Sequence, residues 1–208
     1  MIMGRDKNGK GAHLRLSIAA AAARMMAEDG IEDLATAKRK AARLLGATDA
    51  HALPTNEEVE SELRTYLALY KRDEHSDRLQ SLRELALEVM DELHEFRPYL
   101  SGSVLKGTAG RYADVDIQLF TDDPKAVELH LLNQSIDYSI DEQRLFCGDE
   151  QRLVPVLKVD WNGVPVNVTV CSPRDERSTL KASAGGRPIE RATANAVAAL
   201  LADSAPTE

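Results

Sequence analysis

Two stretches, Tyr99-Leu100-Ser101-Gly102-Ser103 and Ala113-Asp114-Val115-Asp116-Ile117, decide the fold. In the second, polar and apolar residues alternate on through Gln118 and Leu119, the pattern of a strand with one buried face. Side chains two apart on a strand share a face. Asp114, Asp116 and Gln118 are therefore expected to project into a site, with Val115, Ile117 and Leu119 packed behind them. Two convergent carboxylates suit Mg²⁺, a hard cation that takes oxygen ligands and keeps part of its shell for water and phosphate. In the first stretch, Gly102 lets backbone N–H groups come close to a phosphate, and Ser103 adds a hydroxyl.

Gly102-Ser103, Gly107-Thr108 and Asp114-Val115-Asp116-Ile117, at this spacing and bounded by apolar residues, resemble the signature of the DNA polymerase β-type nucleotidyltransferase superfamily. The resemblance covers roughly residues 78–172. It implies transfer of a nucleoside monophosphate from a nucleoside triphosphate to a hydroxyl-type acceptor, with release of pyrophosphate. Asp114 and Asp116 are the implied catalytic metal ligands, for Mg²⁺ with Mn²⁺ as the alternative. Gly102 and Ser103 are the implied contacts to the β- and γ-phosphates.

Val154-Pro155-Val156-Leu157-Lys158, then Gly163, then Val166-Asn167-Val168 resemble the second half of such a site in poly(A)-polymerase-like and oligoadenylate-synthetase-like members. There the family's third metal-binding aspartate falls on position 167, which is Asn here. A carboxamide offers a neutral oxygen, but neither negative charge nor a proton acceptor. The departure opens a further reading, a nucleotide-binding protein without turnover, and the short chain with its helical N-terminal region leaves another, an antitoxin-like regulatory protein that works by protein contact.

Asn162-Gly163 between β-branched runs is a strong hairpin signal, because a type I′ turn needs positive φ at both central residues. A two-residue turn pairs Trp161 with Val164, Val159 with Val166 and Leu157 with Val168, all facing a core. Lys158, Asp160 and Asn167 then share the other face, with Asp160 diagonal to Asn167 at about 7–8 Å. Asp160 either supplies the missing acid or acts as general base, or it is a solvated residue beside the turn. Lys158 and Lys106 are the best-placed cations for a triphosphate, which a lysine meets as a point charge. Arg111, Lys181 and Arg187 are weaker candidates.

Helices are expected elsewhere. Residues 13–29 are rich in alanine, the best helix former, and end at Gly30. Asp33 caps a second helix that stops at Gly46, with Lys38-Arg39-Lys40 and Arg43 as a basic stripe. Thr55 or Asn56 caps a third, whose first turn carries Glu57, Glu58 and Glu60. A fourth, from about Ser76, bears Leu79, Leu82, Ala86, Val89 and Leu93 at helical spacing and is stopped by Pro98. Asp122-Asp123-Pro124 opens a short helix, Ile136 to Phe146 reads as a strand, Gly148-Asp149-Glu150 as a turn, and Gly185-Gly186 precedes a helix from about Pro188. The sum is an α+β protein: a helical extension over 12–75, then a small nucleotidyltransferase-like domain over 76–208 with a mixed sheet flanked by helices.

Composition narrows the partners. The net charge is −8, and residues 76–208, with 14 basic and 22 acidic side chains, carry all of it. Extended nucleic acid calls for a basic face, so a nucleoside triphosphate and a small-molecule or protein acceptor fit better. The helical extension is the expected surface for any protein partner. Cys147 and Cys171 and the five histidines have no metal-ligand spacing. Arg15 and Arg24 interrupt the one segment that resembles a leader, and no run reaches the roughly 18 apolar residues of a membrane span. A cytoplasmic location is expected.

Overall fold

The computed structural model describes residues 6–31, 33–47, 53–70, 72–147, 150–183 and 186–204. The turn expected at Gly148-Asp149, and Gly185, lie outside them. The fold is α+β. The chain divides into two compact units, residues 1–76 together with 110–112, and the remainder of 77–208.

The first unit consists of three helices, α1 (Asp6–Asp29), α2 (Leu34–Leu44) and α3 (Asn56–Tyr70). The helix α1 begins seven residues before the expected start, since nothing in Asp6–Ala12 breaks a helix except two tolerated glycines. Asp33 caps α2 through its carboxylate, accepting from the N–H groups of Ala35 and Thr36. Thr55 and Glu58 form a reciprocal capping box at α3: Glu58 N donates to Thr55 Oγ1 at 3.2 Å, and Thr55 N donates to Glu58 Oε2 at 2.7 Å. Ile18, Val59, Leu63 and Leu67 pack with buried alanines of α1 and α2.

The helix α4 (Arg72–Glu92) leads into the second unit, starting earlier than Ser76 and ending at a 3₁₀ turn, His94–Phe96, ahead of Pro98. The strands are β1 (Tyr99–Ser101), β2 (Val115–Phe120), β3 (Tyr138–Cys147), β4 (Glu150–Trp161), β5 (Val164–Cys171), β6 (Leu180–Lys181) and β7 (Arg191–Ala192). They form one mixed sheet in the order β6-β3-β4-β5-β2-β1-β7. Among the described residues, only β2 and β5 pair in parallel. The remaining helices are α5 (Gly102–Lys106), α6 (Pro124–Asn133) and α7 (Ala194–Ser204). The last of these starts six residues after Pro188, because Ile189 and Arg191 are drawn into strand contacts first.

Period-two alternation sorts the two faces of the sheet. Leu100, Val115, Ile117, Leu119, Leu157, Val159, Val166, Val168 and Val170 make the face that buries α4, α5, α6 and α7 through Leu82, Val89, Val104, Val127, Leu131 and Val197. The opposite face carries Asp116, Gln118 and Phe120 on β2 and Asn167, Thr169 and Cys171 on β5. At its far end Phe120, Leu145, Val154, Cys171 and Leu180 form a second, smaller core.

That end of the sheet is rolled up. The strands β6 and β7 lie on opposite edges, yet Ile189 N donates to the carbonyl of Leu180 in β6 at 2.7 Å. Two residues later Arg191 is in β7, and two residues of chain reach only about 7 Å. Arg191 is stacked on Tyr99 and Phe120, 5.4 and 4.9 Å from their ring centroids, and donates to the carbonyl of Glu176. The face is thus closed over Phe120 and open at the start of β2. Among the described residues no helix is long and apolar enough to cross a membrane.

Candidate active site at the open end of the sheet

The β1–β2 pairing sets Ser101 opposite Asp116, and the parallel β2–β5 pairing sets Asp116 beside Asn167. Register alone therefore brings the two sequence motifs together. Asp114 and Asp116 are half-buried, and one amide nitrogen serves both: Asn167 Nδ2 donates to Asp114 Oδ2 at 3.0 Å and to Asp116 Oδ1 at 3.1 Å. Two ionised carboxylates are acceptors only, so a carboxamide between them turns its N–H₂ inward.

Gly102 closes one side of this cluster. Its φ is +72°, and a Cβ built there would lie 2.1 Å from Asp116 Oδ2. Position 102 thus requires glycine twice over, for the left-handed backbone and for the approach of the carboxylate. Gly102 and Ser103 open α5, and the helix ends at Gly107 in the αL conformation, with the N–H groups of Gly107 and Thr108 both on the Ser103 carbonyl. The Gly-Ser and Gly-Thr pairs of the sequence are thus the two ends of one short helical turn.

A buried cation holds that turn. Arg83 of α4, only 7 % exposed, donates from Nε to the Val104 carbonyl and from Nη2 to the Leu105 carbonyl, each at 3.3 Å. Burial lowers its guanidinium below the ordinary arginine value. Sequence reading missed it, although the signal was present: Arg83 follows Leu79 by four residues and precedes Ala86 by three, on the apolar stripe itself.

Lys158 stands opposite Asn167 in the β4–β5 register. Its ammonium donates to Asp141 Oδ2 of β3 at 2.7 Å, an exposed pair that the sequence did not single out. The hydrogen bond to Asp141 raises the lysine, attraction to Asp114 adds to it, and the same bond lowers the Asp141 carboxyl. The triphosphate contact expected for Lys158 would therefore have to draw it from Asp141. Lys106 lies in the last turn of α5.

Asp160 lies beside the turn, on β4 and on Lys158's face of the sheet. The hairpin forms in the expected register, with φ of +54° at Asn162 and +81° at Gly163. The exposed Asp160 carboxylate accepts from Gly163 N at 2.8 Å, a bond of the turn, and is no part of the Asp114–Asp116–Asn167 cluster. Gln118 also departs from expectation. It lies on the site's face but is 4 % exposed, and its Oε1 is buried without a hydrogen-bond partner.

The donor set, two carboxylates and an amide, is of the oxygen-bearing kind that a hard cation takes. Two carboxylates converge within reach of one nitrogen, and a Cβ at position 102 would intrude on Asp116 Oδ2. Among the described residues, no group of three or more His, Cys, Asp or Glu side chains gathers as a metal centre. Position 167 is where a third carboxylate would complete one. Compared with models of protein families, with curated proteins and with solved structures, the chain matches none of them.

Proposed function

We propose that this protein is a nucleotidyltransferase, moving a nucleoside monophosphate from a nucleoside triphosphate to a hydroxyl-type acceptor with release of pyrophosphate. One observation carries the reading: Asp114 and Asp116 converge on a single polar atom beside a glycine turn that leaves room for one of them. Asp114 and Asp116 would hold Mg²⁺ or Mn²⁺, with Asn167 as a neutral third donor. Such a cation, when bound, offsets charge on the phosphates and orients them for in-line displacement.

The chain's own residues do the rest. Gly102 and Ser103 bring backbone N–H groups and a hydroxyl to the phosphates at the start of α5. Arg83 keeps that turn in place. Lys158 stands one strand away, with Asp141 as its partner when no phosphate is bound. In the reaction the acceptor oxygen bonds to the α-phosphorus, the bond to pyrophosphate breaks, and the acceptor's proton passes to solvent water. The excess of acid over base in residues 76–208 favours a small or protein acceptor over a long polynucleotide. A cytoplasmic location, where triphosphates are plentiful, belongs to the same proposal.

A second reading is favoured by Asn167 itself: nucleotide binding without turnover. The amide stands where a carboxylate would add charge, and it cannot accept a proton. Calorimetric titration of the four nucleoside triphosphates, with and without Mg²⁺, tests both readings. Metal-dependent binding by the wild type, abolished in Asp114→Ala/Asp116→Ala, supports the site; no binding in any combination rejects it. Pyrophosphate release by the wild type then favours the transferase. Release by Asn167→Asp alone favours the silent binder.

A further inference from the structure

We infer that this site takes one divalent cation per chain, and that Asn167 is the residue that sets the number. The inference rests on the nucleotide-site reading above and deepens it. Asp114 and Asp116 bring two negative charges, and both face the same nitrogen of Asn167 at 3.0 and 3.1 Å. One divalent cation balances them. Two cations sharing one phosphoryl group stand about 3.5–4 Å apart and repel strongly, so each needs anionic oxygen of its own.

Beyond the triphosphate's own oxygens, the hydrogen-bonded cluster holds no further carboxylate among the described residues. On one side the Gly102 backbone is packed so tightly against Asp116 Oδ2 that even a methyl group would be 2.1 Å away. On the other, the strand neighbour of Asn167 is Lys158, an ammonium, and its carboxylate partner Asp141 is already engaged at 2.7 Å. Asp160, the nearest acid along β4, accepts the turn N–H of Gly163. A second cation would meet a neutral amide and a positive charge where it needs a carboxylate.

Asn167 also has two settings. With the carboxylates bare, its N–H₂ faces them; with a cation between them, the amide must turn so that its oxygen faces inward. The residue thus satisfies the two carboxylates in one state and donates to the metal in the other, without ever adding charge.

Equilibrium dialysis of Mn²⁺ against the full chain measures the count directly. An equimolar mixture of the four α,β-methylene nucleoside triphosphates, which cannot transfer their nucleotide, makes the result independent of base preference. We expect one Mn²⁺ per chain for wild type, one for Asn167→Ser with weakened affinity, and two for Asn167→Asp. Far-UV circular dichroism and Trp161 emission establish that each variant is folded. Two Mn²⁺ bound to wild type overturns the inference while leaving the nucleotide site standing. One Mn²⁺ in a folded Asn167→Asp overturns the role of Asn167. No nucleotide-dependent Mn²⁺ in any of the three chains overturns the site reading and this inference together. Should Asn167→Asp not fold, the wild-type and Asn167→Ser counts still decide the number.

Discussion

Gly102 shows how much of the site depends on what one residue lacks. Its φ of +72° and the 2.1 Å approach of Asp116 Oδ2 to a hypothetical Cβ are two separate demands. An L-residue in the left-handed region costs about 1–2 kcal/mol, and a methyl group would also push the carboxylate aside. Gly102→Ala is therefore expected to lower stability by about that amount in denaturant titration. It should also weaken metal-dependent nucleotide binding by roughly tenfold or more, the equivalent of about 1.4 kcal/mol. The second effect is the diagnostic one. Gly163, at φ +81° with open space around its Cβ position, provides the control: Gly163→Ala should lose comparable stability and keep its binding. Equal loss of binding in both would mean that Gly102 acts on the fold alone.

At the scale of elements, sequence and structure agree at the hairpin turn and at the helix caps, where the signal is local. The Asn162-Gly163 turn sets the β4–β5 register pair by pair, because two positive-φ residues admit only one hairpin closure. Asp33 and the Thr55/Glu58 box mark helix starts for the same reason: a side chain reaches a backbone N–H two or three residues away. What the sequence hides is non-local. The roll of the sheet comes from Leu180 and Ile189 meeting across its edges, with Arg191 stacked on Tyr99 and Phe120. Asp141 reaches Lys158 through the β3–β4 pairing, which no motif announces. The Arg83 clamp joins α4 to α5 over 21 residues of chain. Here the structure makes its own prediction. Arg83→Leu leaves the Val104 and Leu105 carbonyls without their donors, at about 1–3 kcal/mol for a buried group left unpaired. Arg83→Lys, which keeps the charge but loses the fork, should recover only part of it. Guanidinium unfolding curves of the three chains measure the order. A Leu variant as stable as wild type would mean that these bonds hold nothing in place.

At the scale of the whole molecule, the two units have separate cores of different quality. Among the described residues, six of the ten buried in the helical unit's core are alanine, against three of twenty-one in the main sheet core. Each buried CH₂ contributes about 0.8 kcal/mol, so an alanine core stabilises little per residue ordered. The helical unit adds the Arg15–Glu58 ion pair at 2.9 Å, whose side chains are 39 % and 32 % exposed, and a pair that wet is worth at most about 1 kcal/mol. The main core, rich in Val and Leu and closed by helices on one face, has no such deficit. The helical unit should therefore unfold first. The chain carries its own reporter for this, because its single tryptophan, Trp161, sits at the β4–β5 turn in the second unit. Far-UV circular dichroism follows both units, since α1, α2 and α3 are a large part of the helix; Trp161 emission follows only the second. We expect the dichroism curve to begin its fall at lower denaturant than the fluorescence curve, with the gap equal to the window in which the sheet stands while the helices have melted. Superimposable curves would mean one cooperative transition, and the alanine core would then be drawing its stability from outside itself.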